Sequence, residues 1–308
     1  MTSVAIVGGG GGVGSSAAFN LLRRPEHFDV VLVDRRPEMS TSHVMDLEQV
    51  LATEGNGSVR SGGLADLAAA DVVVMAAGAP LTVNTSRLTY LHENAEVVRP
   101  VADALSSDWG GVLVVVTNPV DPLCTWVQRR TGIDRRRVLG YTLNDSLRLR
   151  TAIAAALDVP ARSVEAWVVG EHGDAGVPLF DRATVDGEPT TLSDDQREAA
   201  ADFVRGWYVR HVALDSGRSS TWSSGLGVSR MVAAIAVGAG EEAWPASLVL
   251  GGEYGIEGVA LSVPVGLGRG GAERVHEWDL AEGERRAMRE AAHVVREAVE
   301  RLSDSARA

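Results

Sequence analysis

A histidine set between glycines, Gly170-Glu171-His172-Gly173-Asp174, follows the apolar run Ala166-Trp167-Val168-Val169. The run reads as a buried strand, which puts His172 at the strand's mouth, where a rigid scaffold can aim a functional loop. An imidazole there can give or take a proton near neutral pH. By itself it could equally be a structural hydrogen-bonder. A second group lies at the other end of the chain. Gly8 to Gly12 and Gly14 fit a dinucleotide-binding turn in two registers, Gly9-x-Gly11-x-x-Gly14 and Gly8-x-x-Gly11-x-x-Gly14. Such a turn needs glycine for its tightness, for close approach of the backbone to a pyrophosphate, and for helix–strand contact. Asp34 follows at about the 20-residue distance where a ribose-binding acid is expected. Its carboxylate would accept ribose hydroxyls and repel a 2′-phosphate, so NAD is expected over NADP, a preference that Arg35 and Arg36 weaken. A glycine run alone could be a flexible loop, and Asp34 alone a surface acid.

The elements around these residues supply the context. Val4-Ala5-Ile6-Val7 reads as a strand stopping at the glycines, and the helix-like segment after them, ending near Arg24, offers free N–H groups to phosphate. Asp29 to Asp34, Asp71 to Ala76 and Val112 to Thr117 read as further strands, with a helical period from Ser86 to about Leu105. Gly55-Asn56-Gly57-Ser58 reads as a turn and nothing more. Strands alternating with helices predict a parallel sheet covered on both faces, with ligands outside the carboxyl ends of its strands. Gly8, Asp34, Gly78 and Asn118 fall at such ends. From Asp145 onward the pattern changes. Asp194 to His211 and Trp222 to Val237 are helical, and Leu248 to Leu250 and Val259 to Val263 are strand-like around a turn at Tyr254-Gly255. A last helix from about Glu282 to Leu302 carries the apolar stripe Met288, Ala292, Val295, Val299 and Leu302, a docking face on the core. The tail after Ser303 is expected to fray. The fold expected is α/β: a Rossmann-type doubly wound parallel sheet over residues 1–144 and an α+β catalytic domain over 145–308.

Composition narrows the function. The chain has 308 residues, 45% of them hydrophobic, enough for a sizeable core, and a formal charge of −12. A nucleic-acid binder would show a basic face, so none is expected as a partner. No run is long enough to span a bilayer, and the N-terminus has no signal-peptide pattern, so a cytoplasmic protein without membrane contact is expected. The lone Cys124 excludes an intrachain disulfide and a cysteine-rich metal site; it lies in an apolar stretch and reads as a buried thiol, and no metal is expected.

These pieces, in order, resemble the lactate/malate dehydrogenase family. The resemblance runs through nearly the whole chain: Val7-Gly8 to Gly14, Met45-Asp46-Leu47, Ala77-Gly78-Ala79-Pro80, Ser86-Arg87-Leu88, Asn94, Thr117-Asn118-Pro119-Val120-Asp121, Asn144-Asp145-Ser146 with Arg148 and Arg150, the His172 segment, Tyr254-Gly255, and Val263-Pro264-Val265 with Gly268 and Gly271. The resemblance implies an NAD-dependent oxidoreductase acting on a 2-oxo or 2-hydroxy acid, and a homodimer or homotetramer with the helix around Met45 at an interface. It implies that His172 is the general acid of reduction and the base of the reverse reaction, oriented by Asp145. Arg148 would take the substrate carboxylate, and Arg87 would close over the substrate and polarise its carbonyl. Asn118 would hold substrate and nicotinamide, and Gly8, Gly11, Gly14, Asp34, Gly78 and Asn94 would complete the cofactor site. Each assignment has a plainer rival. Arg148 and Arg150 could be a solvated face beside Arg135, Arg136 and Arg137. Asp145 could simply cap its helix, and Arg87 could be an exposed first-turn charge.

The sequence also departs from the family pattern. After Ala77-Gly78-Ala79-Pro80 stands Leu81, where malate enzymes usually carry arginine and lactate enzymes commonly glutamine, and Val83-Asn84 replaces the usual Pro-Gly. An apolar residue cannot pair with a second carboxylate, so a substrate with a neutral or apolar side chain is expected. The resemblance implies that the segment around Ser220 would form the opposite wall of the pocket, and nearby Arg218 could serve as a substitute cation, which keeps malate open as an alternative. The stretch Gly140 to Asp145 is one residue shorter than usual and holds the bulky Tyr141. A protein that senses NAD without turnover would explain the glycines and Asp34 equally well, but not the whole histidine, aspartate and arginine set.

Overall fold

The structure, a computed structural model, describes residues 1–79, 87–238, 240 and 242–305; the side chains of Arg87, Leu88 and residues 303–305 also lie outside the described part. The expectations placed on Leu81, Val83-Asn84 and the Arg87 side chain therefore fall outside the described residues.

The N-terminal half alternates strand and helix: β1 (Thr2–Val7), α1 (Gly12–Leu22), β2 (Phe28–Val33), α2 (Pro37–Leu51), β3 (Gly57–Gly62), β4 (Val72–Met75), α3 (Arg87–Asp103), β5 (Val112–Val115), α4 (Val120–Thr131) and β6 (Val138–Tyr141). All six strands are parallel and run in the order β3-β2-β1-β4-β5-β6. That is the doubly wound order, which reverses direction beside β1. The inner strands are uniformly apolar, Val-Val-Val-Met in β4 and Val-Leu-Val-Val in β5, and every residue of both is buried, because helices cover both faces.

Two of these strands were not read from the sequence. The Gly55 to Ser58 stretch is more than a turn, since β3 starts within it and pairs with β2 from Gly57 to Gly62. As an edge strand with exposed positions it has no need of an apolar pattern. β6 is four residues long and interrupted by Gly140, too short to announce itself by period.

The C-terminal half contains α5 (Leu143–Leu157), β7 (Val164–Glu165), β8 (Val168–Gly170), β9 (Gly176–Pro178), β10 (Thr184–Val185), β11 (Glu188–Pro189), α6 (Asp194–Ala213), α7 (Thr221–Val237), β12 (Ala243–Gly251), β13 (Glu257–Gly268), β14 (Gly271–Val275) and α8 (Glu282–Ser305). Asn144 lies in the first turn of α5. β12 pairs antiparallel with β6, through Tyr141 with Ala246 and Gly140 with Ser247. The sheet then continues through β13, β8 and β9, with β14 on β13, to eleven strands. β7, β10 and β11 form a separate small sheet.

The stripe read on the last helix is buried as expected: Met288, Ala292, Val295, Val299 and Leu302 are each at most 4% exposed. The helix continues to Ser305, and residues 306–308 lie outside the described part. α7 packs closely on α1; a Cβ on Gly225 would come within 2.2 Å of the Ser16 hydroxyl. Cys124 is buried and free, and burial, with Asp121 near it, pushes its thiol well above the ordinary range. Among the described residues no helix is long and apolar enough to cross a membrane, and no group of three His, Cys, Asp or Glu side chains could hold a metal.

Candidate active site

The carboxyl ends of the parallel strands share one edge of the sheet. β1 delivers Gly8, β2 delivers Asp34, β4 leads to Gly78, and β5 to Asn118. Gly8 takes φ +84°, and a Cβ there would lie 2.5 Å from the backbone nitrogen of Ala77. Gly14 lets α1 approach the turn, because a Cβ on it would lie 2.3 Å from the Gly8 carbonyl oxygen. Gly11 is the N-cap of α1 and no side chain caps the helix. The first-turn N–H groups at the positive dipole end thus have no hydrogen-bond partner among the described residues, an arrangement suited to phosphate. Asp34 holds the turn, accepting from the Gly10 and Arg36 backbone N–H groups at 3.0 Å each.

Asn94, on α3, is fully buried. Its Oδ1 accepts from the Ala79 N–H at 2.7 Å and fixes the segment after Gly78, and the Tyr90 hydroxyl lies beside the same amide. Asn118 is half-buried, precedes a cis bond to Pro119, and makes no hydrogen bond among the described residues. Glycines that close backbone contact requires, an uncapped helix start and an acid at the β2 end together fit a dinucleotide.

The second cluster gathers at the ends of β6 and β8. β8 ends at Gly170, in a left-handed conformation (φ +86°), and the chain turns His172 back toward α5. Asp145, in the first turn of α5, faces it, with its Oδ2 2.5 Å from His172 Nδ1. Its other oxygen, Oδ1, accepts from Arg148 Nη1 at 2.8 Å. Asp145 does not cap α5; Thr142 occupies the cap position. Both ring and carboxylate are enclosed, with side chains 11% and 10% exposed. Burial alone would lower the His172 pKa. The charge and hydrogen bond of Asp145, with Asp121 behind them, outweigh burial and hold the imidazole above its ordinary 6.5. Burial draws the Arg148 guanidinium below its ordinary value, with Asp145 opposing. A carboxylate bonded at Nδ1 requires that nitrogen to donate, which leaves Nε2 as the atom that can exchange a proton with a ligand.

Arg148 and Arg150 have separate fates. Arg148 turns inward to Asp145, whereas Arg150 pairs with Glu165 and the Ala166 carbonyl. Ser220 occupies the N-cap position of α7 without a side-chain capping bond, and its hydroxyl shares a hydrogen bond with that of Ser223 at 3.0 Å. Arg218 is exposed, with its guanidinium over the Trp222 ring. Tyr141 is buried; its hydroxyl donates to Asn144 Oδ1 at 2.9 Å, and it fits only because Gly227 faces it, where a Cβ would sit 2.0 Å from that hydroxyl.

Two contributors carried no assignment in the sequence reading. Asp121 lies in the Asn118-Pro119-Val120-Asp121 motif, which quoted the residue without a task for it. It is buried at the start of α4; Oδ2 accepts from the His172 backbone N–H at 2.6 Å and Oδ1 from the Ser247 hydroxyl at 2.5 Å. Burial raises its carboxyl to about 7, against those two hydrogen bonds. Trp207, on α6, has its ring 4.0 Å from Arg148 Cζ; no local pattern marks it, because the contact joins elements about sixty residues apart.

Residues 2–140 match the NAD binding domain of lactate/malate dehydrogenases, and residues 142–305 match their alpha/beta C-terminal domain. The chain belongs to the lactate/malate dehydrogenase family. As a member it is an NAD-dependent 2-hydroxy acid dehydrogenase. It is 37% identical to the malate dehydrogenase of Halobacterium salinarum over 95% of this chain and 96% of that one. It is 34% identical to the L-lactate dehydrogenase of Lactobacillus delbrueckii subsp. bulgaricus over 98% of this chain and all of that one. Its fold superposes on the malate dehydrogenase from Aeropyrum pernix with a TM-score of 0.87 at 29% identity, covering 96% and 97% of the two chains. Lactate/malate dehydrogenases of both names thus resemble this one to a similar degree, and overall likeness does not choose the substrate.

Proposed function

We propose that this dehydrogenase interconverts a 2-oxo acid and its 2-hydroxy acid whose side chain is neutral or apolar. The observation that carries the site assignment is the Asp145 carboxylate, one oxygen on His172 and the other on Arg148. An imidazole and a guanidinium held side by side would suit the carbonyl and carboxylate ends of a 2-oxo acid. Gly8, Gly11, Gly14, Asp34, Gly78, Asn94 and Asn118 would hold NAD, which supplies the hydride acceptor or donor when bound. Arg148 would fix the substrate carboxylate with its planar fork. His172, its pKa raised by Asp145, would give its Nε2 proton to the carbonyl oxygen as charge develops there, and take it back in the reverse direction. Arg87 would polarise the same oxygen, and Asn118 and Ser220 would line the pocket. Residues 1–144 would serve the dinucleotide and 145–308 the substrate.

Leu81 supports the uncharged side chain, since burying a second carboxylate against it would leave that charge unpaired. A dicarboxylate is the second reading. It rests on Arg218, an exposed cation on the loop before α7 whose carbonyl accepts from His211 Nε2 at 2.9 Å. NADH oxidation against pyruvate, 2-oxoisocaproate, phenylpyruvate and oxaloacetate, with NADPH in parallel, decides between them. Turnover of the first three with little on oxaloacetate supports the proposal. Oxaloacetate as the best substrate overturns the Leu81 argument, and its loss in Arg218→Ala would then assign the replacement cation. We also infer a homodimer or homotetramer acting in the cytoplasm. α2 buries only Ser40 and Leu47 and leaves Met45 63% exposed; a monomer by light scattering would refute the assembly.

A further inference from the structure

We propose that Trp207 is a positioning residue for the substrate: it fixes the plane of the Arg148 guanidinium so that its unpaired edge is presented to a carboxylate. This rests on the reading of Arg148 given above. A guanidinium binds a carboxylate through N–H groups that all lie in its own plane, so the orientation of that plane decides whether a ligand can be met by two parallel bonds. Among the described residues Arg148 has one anchor in the plane, Nη1 to Asp145 Oδ1 at 2.8 Å. A single hydrogen bond leaves the group free to swing, and the nearest alternative is a two-toothed grip on Asp145 itself. That grip would withdraw Arg148 from a ligand and compete with His172 for the same carboxylate.

The Trp207 ring blocks this swing. Its centroid lies 4.0 Å from Arg148 Cζ, the shortest such separation among the described residues, where the others run from 4.5 to 5.8 Å. The arginine side chain is only 16% exposed, so the attraction acts largely out of water. A ring covers the guanidinium face, which has no hydrogen-bonding capacity, and leaves the edge untouched.

The indole is itself backed. The His211 ring stacks on Trp207 with centroids 5.0 Å apart and planes 13° from parallel. His211 Nε2 is bonded to the Arg218 carbonyl; a carbonyl only accepts, so that nitrogen donates. The Arg148–Trp207–His211 stack therefore links the carboxylate-binding arginine to the loop before α7 that carries Ser220.

The test compares wild type with Trp207→Phe and Trp207→Leu, both large and apolar, one with an aromatic face and one without. Melting temperature reports folding. The readouts are KM and kcat for the best 2-oxo acid, and the dissociation constant of oxamate in the presence of NADH. We expect Trp207→Leu to raise KM and the oxamate constant about tenfold, as loss of a desolvated cation–π contact implies, with kcat within about threefold, and Trp207→Phe to restore most of the loss. Leucine matching phenylalanine would overturn the proposal, since it would make the residue mere packing. So would a fall in kcat without a change in KM or oxamate binding. A wild type that neither binds oxamate with NADH nor turns over any 2-oxo acid would instead refute the reading of the site on which the proposal stands.

Discussion

Asp145 meets an imidazole on one oxygen and a guanidinium on the other, and the pH behaviour of the enzyme follows from that sharing. His172 is held above 6.5 against the pull of burial. If His172 is the proton donor proposed above, reduction needs the imidazolium, and its kcat/KM should be level at low pH and fall as pH rises through the raised value. Asp145→Asn removes the charge while keeping the shape. Burial then dominates, and the falling limb should move below 6.5, with reduction at pH 7.5 reduced about 100-fold or more. A pH profile of NADH-dependent reduction checks this; an unmoved limb would mean that another group titrates.

Asp121, behind the same histidine, ties folding to pH in the same direction. Its folded carboxyl is raised from 3.8 to about 7, so the folded protein binds more protons than the unfolded chain between those values. Stability therefore declines as pH rises through that window. His172 adds to the trend, since its stabilisation is complete below 6.5 and is lost as pH passes its raised folded value. Asp121→Asn keeps an acceptor for the His172 N–H and buries no charge. Its melting temperature should change less between pH 5 and pH 8 than that of wild type, which thermal scans would show.

At the scale of elements, the sequence was most readable where one local rule sufficed. The β1–glycine–α1 unit, the buried β4 and β5, and α6, α7 and α8 follow from runs, periods and glycines. β3 and β6 escaped because an edge strand needs no apolar pattern and a four-residue strand has no period. The histidine and its two partners were legible only through the family's motif order, since no spacing links residues 145 and 148 to 172. Trp207 and Ser247 could not have been found, because what matters about each is a partner on another element. The glycine turn gives a direct test. In Gly14→Ala the new methyl would sit 2.3 Å from the Gly8 carbonyl oxygen, so α1 must shift away from the turn. We expect a loss of roughly 1–3 kcal/mol in stability, the usual range for forced overpacking, and NADH affinity weakened at least tenfold. Denaturant titration and NADH fluorescence measure the two, and an unchanged affinity would remove the turn from the cofactor site.

At the scale of the molecule, the two halves are one sheet. β6 closes the parallel set and β12 continues it antiparallel through two residue pairs. One residue of that join, Ser247, donates to Asp121, which in turn holds the backbone of His172. The join between halves and the placement of His172 thus rest on the same set of bonds. That has a consequence for a severed chain. Residues 214–219 form an exposed connection ahead of α7, with Asp215 and Gly217 at positive φ. A nick there leaves His172, Asp145 and Arg148 together on the first fragment, yet that fragment lacks Ser247, β12 and the helix that packs on α1. Expressed alone it should be silent, and turnover should return on mixing with the second fragment, in proportion to the complex formed. The residues that do the chemistry and the stretch of chain that puts them in place would then be separable by a single cut, and active only in each other's company.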